Sequence, residues 1–187
     1  SNAFWSDSCF CMSFGDGDGT SIYPLVDIDV AGHEMSHGVT SRSANLTYSG
    51  ESGGLNEATS DIFGTMVEFY ANNANDTPDY LIGEELYMSN PTGSKALRYM
   101  FHPSAADASS DCWYSGVGSL DVHYSSGVAN HFFYLLAEGS TDKTFSGVVH
   151  HSPVCVAGNT KQATGTGNLA GIGRDAAQRI WYRALTV

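Results

Sequence analysis

The amino-acid sequence predicts a mainly α chain, a helical lobe preceded by a short β segment, and three features carry that reading. Apolar residues fall at helical spacing in four stretches, an aromatic β-prone run is confined to the N-terminus, and the middle of the chain has no sustained period. The expected division gives residues 1–26 to the end of a β-rich part and residues 27–187 to the helical lobe.

Phe4 to Phe14 reads as a strand that runs into Gly15-Asp16-Gly17-Asp18-Gly19, a glycine-rich stretch that can only be a turn or loop. The first helix is expected from Asp27 to Val39, with Asp27 and Asp29 at its N-terminus, where the helix dipole favours negative charge. Glu51-Ser52-Gly53-Gly54 opens a second helix, which carries Ile62, Met66 and Phe69 on one face and stops at Asn72-Asn73. Residues 72–122 are rich in Gly, Ser, Asn and Asp and read as long ordered loops. A third helix is expected from Gly127 to Glu138, then a Gly/Thr/Ser-rich loop through Thr166, then a fourth helix from Gly171 to about Leu185.

The chain has 187 residues, 42% of them hydrophobic, enough for one core as a domain or as a lobe of a larger protein. Eight basic against twenty acidic residues give a net charge of -12, which argues against a nucleic-acid partner that needs phosphate neutralisation. There is no run of about eighteen apolar residues and no basic-then-apolar start, so neither a membrane span nor an intact targeting peptide is expected. Cys9, Cys11, Cys112 and Cys155 lack paired C-x-x-C spacing, and disulfides are their expected use. Spacing does not rank the possible connectivities; Cys112 with Cys155 is the favoured pair, and a Cys9–Cys11 bridge would close only a small ring.

The strongest chemical signal is His33-Glu34-Met35-Ser36-His37. Residues four apart share one helix face, so both imidazoles can bind a single zinc ion while Glu34 projects toward a water beside it. A catalytic zinc takes three protein ligands, and Glu57 on the second helix is the expected third. Asp61, one turn further along, can accept from the free N–H of a ligating imidazole.

With the H-E-x-x-H helix followed by Gly53-Gly54-Leu55-Asn56-Glu57-Ala58-Thr59-Ser60-Asp61-Ile62-Phe63-Gly64, the sequence resembles the thermolysin family of zinc metalloendopeptidases. Asn2-Ala3-Phe4-Trp5, the Gly15–Gly19 stretch, Tyr48, Ala96-Leu97-Arg98 and Asp121-Val122-His123-Tyr124-Ser125-Ser126-Gly127 are similar to family segments in the same order, so the likeness covers most of the chain. The resemblance implies a helical C-terminal lobe of a thermolysin-like zincin, with His33, His37 and Glu57 as zinc ligands and Glu34 as general base. It further implies Tyr48 and His123 as stabilisers of the oxyanion, Asn2 and Ala3 as holders of the substrate backbone, and Arg98 beside the pocket for the residue after the cut. At least one calcium ion is implied at Asp29, Glu68, Asp79 and Glu84. Two departures matter. Leu81 stands where relatives with paired calcium carry an acidic residue, so one calcium is expected; and the approach Ser119-Leu120-Asp121 differs from the family's, which withholds from Asp121 the role of orienting His123.

The functional expectation is a secreted, monomeric, zinc-dependent endopeptidase that cuts peptide or protein substrates on the amino side of large hydrophobic residues. Export is implied by the resemblance and by even cysteine use. The chain is short against the family: it begins near the end of the β-rich lobe and stops before the final helices, with a propeptide or N-terminal lobe expected elsewhere. The alternative is a catalytically silent zinc-binding fragment.

Overall fold

The computed structural model describes residues 2–106 and 108–187. The N-terminal segment is a hairpin rather than the single strand expected: β1 (Ala3–Ser6) pairs antiparallel with β2 (Cys11–Phe14), Ala3 opposite Phe14. A disulfide between Cys9 and Cys11 closes the tip, where Phe10 takes a φ of 53°. The β-prone composition was the same on both sides of the turn, so only the reversal at Asp7–Phe10 escaped the reading.

Helix α1 (Ile28–Ser41) starts on Asp27, whose side chain accepts from the Ile28 N–H. Helix α2 (Gly50–Ala71) runs to Asn72, which ends it in the left-handed conformation at φ 45°. The two helices cross where glycine permits it. A Cβ on Gly32 would stand 2.9 Å from the Gly64 Cα, and one on Gly64 would stand 2.3 Å from the Asp29 carbonyl oxygen. Any side chain at either position would force the helices apart and separate the residues they carry.

The loops of residues 72–122 contain more regular structure than expected. β3 (Leu81–Ile82) pairs with β4 (Arg98–Tyr99), which brings Arg98 alongside α2, and α3 (Val122–Ser125) is a single helical turn capped by Asp121. Segments this short carry no periodicity to read. Helix α4 (Gly127–Glu138) has the predicted bounds. The loop after it folds a hairpin, β5 (Lys143–Phe145) on β6 (Val148–His150).

Helix α5 begins at Arg174, not at Gly171, and runs to Thr186. The intervening backbone is tied elsewhere: the Ile172 and Gly173 N–H groups donate to the Leu136 and Ala137 carbonyls at the end of α4, at 2.8 and 2.9 Å. The core lies between α2, α4, α5 and the β3–β4 loops, built from Ile62, Met66, Tyr80, Leu81, Ile82, Met100, Phe101, Phe133, Tyr134 and Ala177. A second disulfide joins Cys112 to Cys155 across the loops, as favoured.

Candidate active site

At the crossing of α1 and α2 three polar side chains meet in a space that an apolar core would fill. His33 and His37, one turn apart on α1, present their Nε2 atoms 3.1 Å from each other. Glu57 reaches across from α2 with Oε2 at 3.5 Å from His33 Nε2 and Oε1 at 3.3 Å from His37 Nε2. A tetrahedral zinc with bonds of about 2.0–2.1 Å separates its ligand atoms by roughly 3.3–3.4 Å. The three side chains therefore already have the spacing of one tetrahedral site, and Glu57 Oε2 is buried without a hydrogen-bond partner. Two imidazoles and a carboxylate are the donor set of a hydrolytic zinc site, and they fit the ion.

The outer nitrogens of both histidines are engaged. His33 Nδ1 lies 2.8 Å from Asp61 Oδ1 and His37 Nδ1 lies 2.8 Å from Asn56 Oδ1, which leaves each Nε2 facing the site. Asp61 is held in turn by Arg98, through Nε at 2.8 Å and Nη2 at 2.6 Å, and by Asn130 Nδ2 at 2.8 Å. Burial raises the Asp61 carboxyl, but the Arg98 charge and the His33 hydrogen bond outweigh it and hold the group far below the carboxylate range. Burial likewise works against the Glu57 anion; its hydrogen bond to His37 and the charges of His33, Arg98 and His123 win, and the pKa falls to about 2. Both carboxylates stay ionised, as ligand and orienting group require.

Asn56 stands in the second-helix motif without an assigned role, and Asn130 has no place in the sequence analysis. Asn56 sits on the α2 face that meets α1, so helical register could have found it; Asn130 is 69 positions from Asp61, and no local pattern links them. Arg98, expected at the substrate, spends two donors on Asp61 and lines the cleft beside it.

The cluster opens into a cleft of about 460 Å³. Glu34 lies on its wall, and burial raises its carboxyl, with the His33 and His37 charges opposing. Tyr48 donates its hydroxyl to Glu57 Oε1. His123, on α3, stands with Nε2 at 3.6 Å from Glu57 Oε2. Its Nδ1 is 2.7 Å from Asp121 Oδ1, so Asp121 does orient His123, through its place at the N-terminus of α3 and despite its unusual approach sequence. Asn2, Ala3, Phe4 and Trp5 line the cleft beside α1, and the Trp5 ring lies so close to Gly38 that a Cβ there would be 2.6 Å from it. The apolar part of the cleft lining comprises Leu25, Val30, Ile82, Leu86 and Leu97.

Beneath the start of α1 lies a second charged group. Asp29, Glu68, Asp79 and Glu84 are all buried there, joined by Asp27 and Asp76, which the sequence reading did not include as ligands. Burial and mutual repulsion push Glu68 up to about 11, Glu84 to about 10 and Asp79 to about 7. Both Glu68 carboxylate oxygens and Glu84 Oε2 lack hydrogen-bond partners. Oxygen-only donors gathered without counter-charge suit calcium.

Comparison with known proteins agrees with this geometry. Residues 44–187 match the thermolysin metallopeptidase alpha-helical domain and residues 1–41 match the thermolysin metallopeptidase catalytic domain. The transglutaminase-activating metalloprotease of Streptomyces mobaraensis is 59% identical over 186 residues, 99% of this chain and 22% of that protein. Thermolysin from Alicyclobacillus acidocaldarius subsp. acidocaldarius is 41% identical over 188 residues, 98% of this chain and 29% of that protein. The solved precursor of protealysin, a metalloproteinase from Serratia proteamaculans, superposes with a TM-score of 0.58 at 38% identity, covering 72% of this chain and 45% of that one. The chain thus spans between a fifth and a third of the length of these curated relatives. On both its helical portion and its motif helix, the chain belongs to the thermolysin metallopeptidase family.

Proposed function

We propose that this chain carries the zinc centre of a secreted metalloendopeptidase. The observation that carries the reading is the convergence of His33 Nε2, His37 Nε2 and the Glu57 carboxylate at 3.1 to 3.5 Å on the wall of a cleft that also holds Glu34. When bound there, zinc polarises the scissile carbonyl and acidifies a water molecule.

The remaining work falls to side chains. Glu34 takes the proton of the attacking water and delivers it to the departing amine; its raised pKa suits a group that must both accept and release. Tyr48 and His123 flank Glu57, Tyr48 donating to its Oε1 and His123 Nε2 standing 3.6 Å from its Oε2. Turned from Glu57 to bound substrate, these two donors would serve the negative charge that develops on the carbonyl oxygen. Asp121 Oδ1, 2.7 Å from His123 Nδ1, fixes the orientation of the ring and leaves Nε2 facing Glu57. Asn2 and Ala3 present edge backbone to an extended peptide, and the apolar lining of the cleft, with Ile82 paired to Arg98, favours a large hydrophobic side chain just after the cut. Two disulfides accord with export, and no helix is long and apolar enough to cross a membrane. Residues 1–26 are read as the end of the preceding lobe, with the hairpin β1–β2 closing one side of the cleft.

A second reading, that this stretch binds zinc yet cleaves nothing without the rest of a longer protein, is favoured by its 22% to 29% share of the relatives' length. Elemental analysis and casein hydrolysis separate the two. About one zinc per chain is expected, lost in Glu57→Ala; Glu34→Gln is expected to keep the zinc and lose hydrolysis by about 10²–10⁴-fold. Zinc uptake without any hydrolysis by the native chain would favour the second reading, and no uptake from supplied zinc would sink both.

A further inference from the structure

The bridge at the tip of the β1–β2 hairpin differs in kind from the other disulfide. Cys9 and Cys11 are 2 positions apart and both are exposed, so a dissolved thiol can reach either sulfur. Cys112 and Cys155 are 43 positions apart, and Cys112 is only 2% exposed. A bridge between near neighbours removes little freedom from the unfolded chain, so folding protects it from reduction less than it protects the long-range one. Inside the small ring sits Phe10, whose φ of 53° lies in the left-handed region that a bulky side chain seldom occupies unless its surroundings hold it there. Phe10 is 62% exposed, so no core does the holding.

What Phe10 touches belongs to the cleft wall. Its ring stands edge-on to Trp5 with centroids 5.0 Å apart, and the Arg42 guanidinium lies 4.5 Å from its centroid. Trp5 lines the cleft with Asn2, Ala3 and Phe4, and donates from Nε1 to Asp7 Oδ1 at 3.0 Å. The same Asp7 oxygen accepts from Arg42 Nη1 at 2.6 Å and from Ser41 Oγ at 2.8 Å, where α1 ends. Bridge, Phe10, Trp5 and the end of the histidine helix thus form one connected unit. We infer that Cys9–Cys11 is a thiol–disulfide exchange site that sets how firmly the Asn2–Trp5 edge is held. The thiolate of a small thiol attacks one sulfur of the bridge; the S–S bond breaks, a mixed disulfide forms, and the other cysteine leaves as a thiolate that takes a proton from solvent. A further small thiol attacks the mixed disulfide, frees the remaining cysteine as its thiol, and departs joined to the first as their own disulfide. The bridge gains two electrons and two protons while two small thiols are oxidised to one disulfide. With the ring open, Phe10 leaves the left-handed region and withdraws from Trp5 and Arg42. The strand that presents Asn2 and Ala3 loosens, while His33, His37 and Glu57, carried by α1 and α2, keep their spacing. The exchange site rests on geometry alone, and its effect on peptide binding rests on the endopeptidase reading.

The native chain, loaded with zinc and calcium, is equilibrated across a series of reduced and oxidised glutathione, then alkylated, and its cysteines are followed by peptide mass. Cys9 and Cys11 are expected to open at a reducing ratio at least about tenfold lower than Cys112 and Cys155. Amide hydrogen exchange across residues 3–14 should then quicken by about tenfold, the combined worth of one aromatic pair and one exposed cation–π contact, with exchange in α2 unchanged. Phe10→Ala, its bridge intact, should exchange this fast without glutathione, and Cys9→Ser/Cys11→Ser should do so at every ratio. Casein hydrolysis should show a raised KM with kcat retained. Zinc counted at each ratio separates these effects from loss of metal to the thiol. Both bridges opening together would overturn the inference, as would a reduced chain whose hairpin exchanges as slowly as the oxidised one. If the double serine variant fails to fold, the native series and Phe10→Ala still decide. Alkylation and exchange need no hydrolysis, so an inactive chain would count against the proposed activity and leave the exchange site to be judged by those two readings.

Discussion

Replacing Asp61 by asparagine tests whether a buried ion pair supports the histidine site. Asp61 has no exposed surface and takes four hydrogen bonds, from His33 Nδ1, twice from Arg98, and from Asn130. Asparagine keeps the size but removes the charge and turns one oxygen into a donor facing other donors. The Arg98 guanidinium is left buried and uncompensated, which costs about 3–5 kcal/mol. Against a total stability of about 5–15 kcal/mol this is a large fraction. At about 2–4 °C per kcal/mol for a chain of this size, the melting temperature should fall by about 6–20 °C. His33 also loses its charged acceptor, so zinc affinity should weaken by about 10–100-fold. Thermal melting by circular dichroism at saturating zinc and calcium gives the first number, and zinc competition with a chelating dye gives the second. Asn130→Ala serves as the scale: it removes one donor to the same carboxylate and should cost about 1.5–3 kcal/mol. An Asp61→Asn melting shift under about 3 °C would refute the reasoning, because Arg98 would then have found water or another partner at no cost.

His150 is fully buried against Phe101, Tyr80, Tyr134 and Phe145, with neither ring nitrogen hydrogen-bonded, and burial lowers its pKa from 6.5 to about 4 despite the Glu138 charge. The unfolded chain then binds a proton that the fold rejects, so stability is full above pH 6.5 and declines as pH falls toward 4, by up to about 3 kcal/mol. His150→Phe should flatten that part of the melting-temperature profile; parallel native and variant curves would contradict the assignment. The two disulfides should differ in weight. Cys112 and Cys155 are 43 positions apart, and replacing both by serine should cost about 4 kcal/mol on the chain-entropy account. Cys9 and Cys11 are 2 apart, and the same change there should cost under about 2 kcal/mol. Denaturant midpoints decide it, and equal losses would show that loop length is not what matters.

The sequence alone determined the four long helices, to within a few residues at the start of α5, and the grouping of the histidines and carboxylates on α1 and α2. His33 and His37 had to share a face once α1 was helical, and Glu57 and Asp61 had to share one on α2, because a period of 3.6 residues fixes which side chains align. The same logic returned the bounds of α4, which runs from Gly127 to Glu138 and is capped by Gly139. What periodicity could not supply was distance between elements. The approach of α1 to α2 depends on Gly32 lying against Gly64, and each glycine is silent by itself. Asn130 reaches Asp61 only because α4 packs on α2, and Arg98 does so only because a two-residue strand, β4, pairs with β3. The acidic group shows the limit best. Asp27 read as a helix start and Asp76 as part of a polar loop, both correct locally. Only the folding of residues 72–86 over the N-terminus of α1 drives them together, because repulsion between carboxylates is a property of positions in space that a one-dimensional pattern does not contain.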